Sequence, residues 1–386
     1  MRKWSGFKLA TAVMLSGLLM LSGASYALAD TDTTTATAGT TAAATGQQQS
    51  ITIQQALTMA MANSNSLNSA ASSVDQANNN LDTTQQQTAG TLNFTPSGSS
   101  TASTETALNN LTAADLNVTL QQSQYQASQD SVVYSVYQDY YNILQDETAQ
   151  DTAQQALSLA ALQQQQAVLE QQLGGYSQYQ VTQADQSYAQ AQTNLSTAEA
   201  SLTTAYQQFD KLVGLATDDQ PVLTDQPSSF TPLVVGSLDA EVSRVLADSP
   251  SILQAQNAVV ADKTGLSVVS YVTSANYSSA DSLNIAENNL ATTETSVAQS
   301  ERDMYATIQN LESKQNSLQQ ALATAEQNLQ AIQVGYNVGY NDKLDLIEAQ
   351  STLATAQQNL LDNDCQHQLD VMLFETPWVS SGGSGS

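Results

Sequence analysis

The sequence predicts an all-α fold: duplicated long antiparallel helical hairpins with coiled-coil (heptad) packing, and at most a few short strands at the hairpin ends. Two observations lead to this prediction. A glycine-containing turn pattern recurs at a fixed distance along the chain, and apolar residues recur at every seventh position on either side of it. Together these patterns are typical of a repeated helix–turn–helix unit whose helices pack along apolar stripes.

The turn pattern is Gly followed by nine residues and Ala, and it begins at Gly174 and at Gly339, 165 residues apart. Residues downstream match at the same offset, with Ala189, Ala191, Gln192, Asn194 and Leu195 corresponding to Ala354, Ala356, Gln357, Asn359 and Leu360. Glycine at such a position lets the chain leave one helix through positive φ and start the next. Each copy is therefore interpreted as the turn of one hairpin.

The seven-residue period runs through both halves. After the first turn, ten residues hold the paired seam positions of five heptads: Val181/Ala184, Tyr188/Ala191, Leu195/Ala198, Leu202/Ala205 and Phe209/Leu212. Before the second turn the spacing is kept by Leu283, Leu290, Val297, Met304, Leu311, Leu318, Ala325 and Ile332. This period predicts coiled-coil packing. We expect long helices over about 115–173 and 281–338, each roughly 85 Å long at 1.5 Å per residue.

The chain divides into six predicted segments: signal peptide 1–29, disordered Thr/Ala-rich leader 30–50, first repeat 51–214, connector 215–236, second repeat 237–374 and flexible tail 375–386. The signal is predicted from the basic residues Arg2, Lys3 and Lys8, the apolar run 9–21 and a small-x-small cleavage site at 27–29. Three prolines mark the connector as non-helical, at Pro221, Pro227 and Pro232. The chain is thus expected to be exported without a transmembrane helix.

Each repeat is expected to open with a short helix. Ser50 is the predicted N-cap of the first and Ser237 of the second. Ala62-Asn63-Ser64 is echoed by Ala247-Asp248-Ser249 at an offset of 185. This offset is 20 residues larger than that of the turns, which predicts an insertion in the first half between its early helix and its long helix.

Charge and composition exclude several functions. The formal charge is −27, which makes nucleic acid and anionic lipid poor partners. No nucleophile–base–acid set, phosphate loop or zinc signature is visible, so neither an enzyme nor a cofactor is expected. Cys365-Gln366-His367 supplies only two metal ligands. Because His367 continues the heptad of Leu360, a packed helix residue is the favoured interpretation. Tyr134, Tyr137, Tyr140 and Tyr141 are likewise interpreted as packing residues.

The segment 336–350, Tyr-Asn-Val-Gly-Tyr-Asn-Asp-Lys-Leu-Asp-Leu-Ile-Glu-Ala-Gln, resembles the TolC-like outer-membrane efflux factors. The start at 51–67 resembles the opening helix of that family, and the likeness covers about residues 51–373. The resemblance implies a homotrimer whose hairpins form a helical tunnel in the cell envelope. It also implies a periplasmic adaptor and an inner-membrane pump as partners, and the pump mainly sets the transported substrate.

The resemblance places both turns at the inner tip of the tunnel, where the family contacts its adaptor. Val338, Gly339 and Tyr340 match the Val-Gly-Leu-like contact turn, with Tyr in place of Leu, and Gly174-Gly175 is the looser equivalent. The alternative is that these glycines are helix C-caps that contact no partner.

Asp345 and Glu348 match positions at which the family places acidic rings around the tunnel constriction. Their spacing of three residues puts both carboxylates on one helix face, and three copies would make a cation-attracting collar. The alternative is that acids near a helix start bind free main-chain N–H groups and favour the helix dipole. Tyr336 matches a tyrosine of the family's closed-tip lock, but the charged lock partners are replaced here by Asn341 and Gln180.

The sequence departs from the family where membrane barrel strands are expected. Such a strand needs about 9–11 alternating residues. The stretch Leu266–Val272 has room for one strand, and the alternation at Thr91–Thr95 stops at Pro96. We therefore expect the barrel segments to be reduced or missing, with loops or a small strand pair in their place.

Two functions follow from these patterns. The first is the exit duct of a tripartite efflux or type I secretion system, located in the outer membrane and periplasm, or at the cell surface of a cell that lacks an outer membrane. The alternative is an exported structural or adhesive coiled-coil protein derived from this family, with no conduit. A trimer with an axial lumen favours the first, and a monomeric or dimeric hairpin favours the second.

Overall fold

The computed structural model describes residues 50–93, 101–217, 219–269 and 276–381. The helices of the first half are α1 (Ile53–Asn63), α2 (Asn65–Asn93), α3 (Thr101–Gln172) and α4 (Gln178–Val213). Those of the second half are α5 (Leu238–Asp248), α6 (Pro250–Val269), α7 (Asn276–Asn337), α8 (Lys343–Glu375) and α9 (Trp378–Ser381). Two short strands, β1 (Ser50–Ile51) and β2 (Val222–Leu223), pair in parallel. The predicted signal peptide, the leader up to residue 49 and residues 382–386 lie outside the described residues.

The predicted fold class is confirmed. Short turns join α3 to α4 and α7 to α8, and the two helices of each hairpin pack against each other. The long helix α3 also contacts α8, which brings the two hairpins together. Within the part of the chain that the structure describes, strand is limited to the pair β1 and β2.

The seven-residue stripes are the covered faces of these helices. All ten seam residues named for α4 are buried or half-buried, and so are all eight named for α7. Most other residues of α4 before position 205 are exposed. The apolar period therefore sets which face of each helix turns toward its neighbours.

Matching offsets relate the bounds of the short helices. Both α1 and α5 have 11 residues, with N-caps Thr52 and Ser237 and C-caps Ser64 and Ser249, all at the offset of 185. In the long hairpins, two contacts between aromatic rings involve residues that correspond at the offset of 165. Tyr140 meets Phe209 with ring centroids 6.1 Å apart, and Tyr305 meets Phe374 at 6.0 Å.

The first helix begins later than the sequence suggests. Ser50 is not an N-cap, because it belongs to β1 and pairs with Val222. Thr52 caps α1 instead: its hydroxyl accepts a hydrogen bond from the Gln55 N–H at 3.2 Å, and the Gln55 side chain accepts from the Thr52 N–H at 2.9 Å. This reciprocal capping box satisfies two free N–H groups, which favours a start at Ile53.

The long helices are longer than predicted at their N-terminal ends. They begin at Thr101 and Asn276 rather than near 115 and 281. With 72 and 62 residues they measure about 108 Å and 93 Å at 1.5 Å per residue.

The expectation of loops or strands before the long helices is wrong for the described residues. Residues 91–93 belong to α2, where the Thr91 hydroxyl donates to the Gln87 carbonyl at 3.0 Å, and residues 266–269 belong to α6. The remainder of both candidate stretches, 94–95 and 270–272, lies outside the described residues. Strand propensity is a weak, context-dependent preference, so a short stretch rich in β-branched residues can continue a helix that packs on a neighbour.

The connector is fixed to β1 and the start of α1 by one tyrosine and one aspartate. The buried Tyr140 hydroxyl donates to the Ile51 carbonyl at 3.2 Å and accepts from the Asp225 N–H at 2.9 Å. The Asp225 carboxylate accepts from the Ile53 N–H at 2.8 Å, at the start of α1.

No helix among the described residues combines the length and apolarity needed to cross a membrane.

Candidate functional site

The two hairpin turns have the same main-chain geometry. In the first, the N–H groups of Gly174 and Gly175 donate to the carbonyls of Gln171 and Glu170 at 3.0 and 2.8 Å. In the second, Gly339 and Tyr340 donate to Tyr336 and Gly335 at 3.1 and 2.8 Å, each 165 positions later. These bonds satisfy carbonyls that the helix end leaves without intrahelical partners.

Gly174 and Gly339 adopt the left-handed conformation that the sequence pattern predicts. Their φ angles are 82° and 78°. A residue with a side chain adopts this positive φ only with backbone strain. Neighbouring atoms do not exclude a side chain, since a Cβ at either position meets nothing within 4 Å. The glycines therefore serve to reverse the chain and leave the turn surface open.

Both return helices start with a capping box. Ser177 and Gln180 form it at the start of α4, and Asp342 and Asp345 form it at the start of α8. The Asp345 N–H donates to Asp342 Oδ1 at 2.9 Å, and the Asp342 N–H donates to Asp345 Oδ2 at 3.1 Å. The turns are thus fixed from both sides, by glycine C-caps and by polar N-caps.

Apolar side chains are exposed on these fixed turns. Tyr340 is 88% exposed and Val338 75% in the second turn, while Leu173 is 74% and Tyr179 76% exposed at the first. Residues 172–180 and 336–340 are exposed without interruption. Isolated exposed apolar residues are ordinary, but a group of them on two rigid turns is typical of a contact surface.

The predicted constriction residues differ in their surroundings. Asp345 accepts hydrogen bonds from Asn341 Nδ2 at 3.0 Å and from the Asp342 N–H, and these bonds lower the pKa of its carboxyl. The helix-start alternative therefore describes Asp342 and Asp345 correctly. Glu348, one turn further along α8, is exposed and outside the capping box. The structure thus places Asp345 in a cap and leaves Glu348 facing solvent.

Tyr336 lies at the end of α7 with its ring partly exposed. The two residues at the positions predicted for its lock partners are engaged elsewhere. The Asn341 side chain donates to Asp345, and the Gln180 side chain accepts from the Ser177 N–H at 2.8 Å. Both polar groups stabilise the starts of the return helices.

The other sequence candidates are packing residues, as interpreted from the pattern. Tyr140 and Tyr141 are buried, and Tyr137 meets Tyr141 edge to face with ring centroids 5.9 Å apart. Cys365 is buried, and burial raises the pKa of its thiol to about 12. His367 is buried against the Phe230 ring, with its Nε2 3.3 Å from Glu312 Oε1. Among the described residues, no three His, Cys, Asp or Glu side chains group in a way that suits a metal ion.

A buried polar layer between α7 and α8 was not predicted from the sequence. Gln315 is buried at a seam position, where its side chain donates to Asp364 Oδ1 at 2.8 Å and accepts from Asn363 at 2.7 Å. Buried polar side chains with partners on the facing helix fix the register of a helix pair. The signal was available: Gln315 is seven residues beyond Ile308, on the same stripe.

The fold and these turns define the class: a protein of long helical hairpins that resembles solved outer-membrane channels. CusC, whose structures describe transmembrane channel formation, has a TM-score of 0.60 at 14% identity, over 85% of this chain and 91% of CusC. The outer-membrane channel OprN has a TM-score of 0.62 at 13% identity, over 85% of this chain and 90% of OprN. The outer membrane protein VceC from Vibrio cholerae has a TM-score of 0.58 at 14% identity, over 85% of this chain and 95% of VceC. At these identities the likeness establishes the fold.

A sequence match supports the same class. Residues 228–371 match the family described as outer membrane efflux protein. No curated protein sequence matches the chain. The resemblance to outer-membrane efflux proteins seen in the sequence is confirmed: residues 228–371 match that family, and 85% of the chain shares the fold of the solved outer-membrane channels.

Proposed function

We propose that this protein is the exit duct of a tripartite efflux or type I secretion system, formed by three copies whose hairpins enclose a tunnel. The observation that carries the proposal is the pair of long hairpins, related at a fixed offset, in the fold of solved outer-membrane channels. The match of residues 228–371 to outer membrane efflux proteins supports it. An envelope location follows from the same likeness.

A third observation supports assembly. The isolated chain leaves much of its long helices exposed, including Leu108, Leu169, Ile285 and Val334. A helix of about 100 Å cannot bury its faces within one hairpin, and its remaining faces suit neighbouring copies. The trimer is the arrangement that the family resemblance implies.

The two turns are the proposed adaptor contact. Gly174, Gly175, Val338, Gly339 and Tyr340 form or border matched, rigid turns with exposed apolar side chains. A contact surface that is ordered before binding loses less conformational entropy on association. The inner-membrane pump then delivers substrate through the adaptor to the tunnel.

Asp345, Glu348 and Tyr336 are the proposed constriction of the tunnel. Hydrogen bonds to Asp345 keep its carboxyl ionised to lower pH than usual, so the charge persists as pH falls through the ordinary range for aspartate. Three copies would gather this charge around the axis and favour cations over anions.

A conductance measurement tests the constriction. Replacing Asp345→Asn together with Glu348→Gln should lower the cation-to-anion permeability ratio roughly tenfold at low salt, because charged clefts concentrate counter-ions by at least about that factor. The protein is reconstituted in planar bilayers, and the ratio is taken from reversal potentials in a salt gradient. Asp75→Asn with Asp82→Asn, which removes two exposed charges from α2, is the matched control. Equal ratios in both double variants would reject the collar, and a chain that conducts nothing would contradict the duct.

A further inference from the structure

A buried carboxyl without a hydrogen-bond partner lies where α7 packs against α5. Glu301 is fully buried, and neither of its carboxyl oxygens has a hydrogen-bond partner among the described residues. An unpaired charge in such a place is costly, so buried carboxyls either find partners or become neutral. The group therefore needs an explanation beyond packing.

The first half of the chain shows that the fold does not require an acid there. At the offset of 165, Glu301 corresponds to Val136 of α3, which is also fully buried. At the offset of 185, Glu241 and Arg244 of α5 correspond to Ala56 and Met59 of α1. Ala56 is fully buried and Met59 packs on the apolar core. An apolar contact in the first half is thus matched by three ionisable residues in the second.

The three residues are coupled across helices. Arg244 Nε donates to Glu241 Oε2 at 2.8 Å within α5, and Arg244 Nη1 donates to the Glu375 carbonyl of α8 at 3.3 Å. The same Nη1 lies 3.9 Å from Asp248. On α7, Arg302 pairs with Asp239 of α5 at 3.4 Å. Arg244 therefore holds α5 to the end of α8, and its charge also acts on the Glu301 carboxyl.

Burial raises the pKa of Glu301 to about 7, and Glu241 adds to the increase while Arg244 opposes it. Near neutral pH the carboxyl therefore exchanges between a neutral form, which is stable in the buried contact, and an anion, which is destabilised there by the loss of water. The anion is stabilised by water if α5 moves away from α7.

We propose that the contact between α5 and α7 is a pH-controlled latch, closed while Glu301 is neutral and loosened when it ionises. The sign follows from linkage. The carboxyl binds its proton more tightly in the closed contact than when exposed to water, so the closed state loses stability as pH rises from about 5 to about 7. The inference does not depend on the channel function.

Hydrogen exchange of the full chain tests the latch, with α1 as an internal control. Amide protection factors, corrected for the intrinsic chemical rate, are compared between α5 (Leu238–Asp248) and α1 (Ile53–Asn63) from pH 5 to 8.5. The ratio of α5 to α1 protection should fall about tenfold per pH unit up to about pH 7 and then level off, since one proton is released per opening.

Two variants and one control make the result decisive. Glu301→Gln should give a ratio that does not change with pH. Glu301→Val, which restores the residue type of the first half, should do the same and serves if the glutamine variant fails to fold. Asp139→Asn removes another carboxyl whose burial raises its pKa, to about 6, and should keep the wild-type slope. A flat ratio in the wild-type protein, or an unchanged slope in both Glu301 variants, overturns the proposal.

Discussion

Replacing Phe209 by alanine should lower the free energy of unfolding by about 3–5 kcal/mol, the range for truncating a buried phenylalanine. Its ring is fully buried in the main apolar cluster and meets Tyr140 edge to face at 6.1 Å. The variant leaves a cavity beside the tyrosine that joins the connector to the first helix. Because domains are stable by only about 5–15 kcal/mol, this is a large fraction of the total.

Urea unfolding followed by helical circular dichroism measures the loss. Tyr179→Ala is the matched control, because it removes an aromatic ring from the same helix, α4, at a site that is 76% exposed. The control should change stability by no more than about 0.5 kcal/mol, as for most surface substitutions. Equal losses in the two variants would show that Phe209 is not part of the core.

The second large effect is expected at the hairpin turns. Val338→Asp together with Tyr340→Asp should abolish substrate export while leaving the helical content unchanged, since both side chains are exposed. Losing two apolar anchors of a contact costs about 2 kcal/mol or more each, or roughly thirtyfold in affinity per residue. The measurement is survival of cells on a toxic substrate when the chain replaces the exit duct that serves their adaptor and pump.

The control for this experiment lies in the connector. Val234 is 87% exposed, so Val234→Asp adds a charge at an equally exposed apolar site away from the turns. It should leave export and adaptor binding intact. If the turn variant exports as well as the wild type, the turns are ordinary helix caps, as in the alternative interpretation of the sequence.

The turns and the stripes were predictable because their physical requirements are local. Glycine is the residue that readily adopts the φ of 82° and 78° seen at Gly174 and Gly339, and the heptad period states directly which face is covered. The extent of the helices was harder to predict. Residues 266–269 read as strand because β-branched residues favour it, yet α6 continues through them.

The polar residues of the core were missed for a different reason. A charged side chain such as Glu301 is assigned to the surface by its chemistry, although it lies on the same seven-residue line as Ile308 and Gln315. Alignment of the two halves at the offset of 165 would have placed it on buried Val136. The repeat therefore carries information about burial that residue type alone does not.

The number of chains in the assembly distinguishes an exit duct from a structural coiled-coil protein. The chain without residues 1–29 is purified, its mass is measured by light scattering, and its particles are imaged by electron microscopy. We expect a mass of three chains and end views with a ring around an axial lumen. A uniform monomer or dimer without any ring view would contradict the duct and support a structural coiled-coil protein instead.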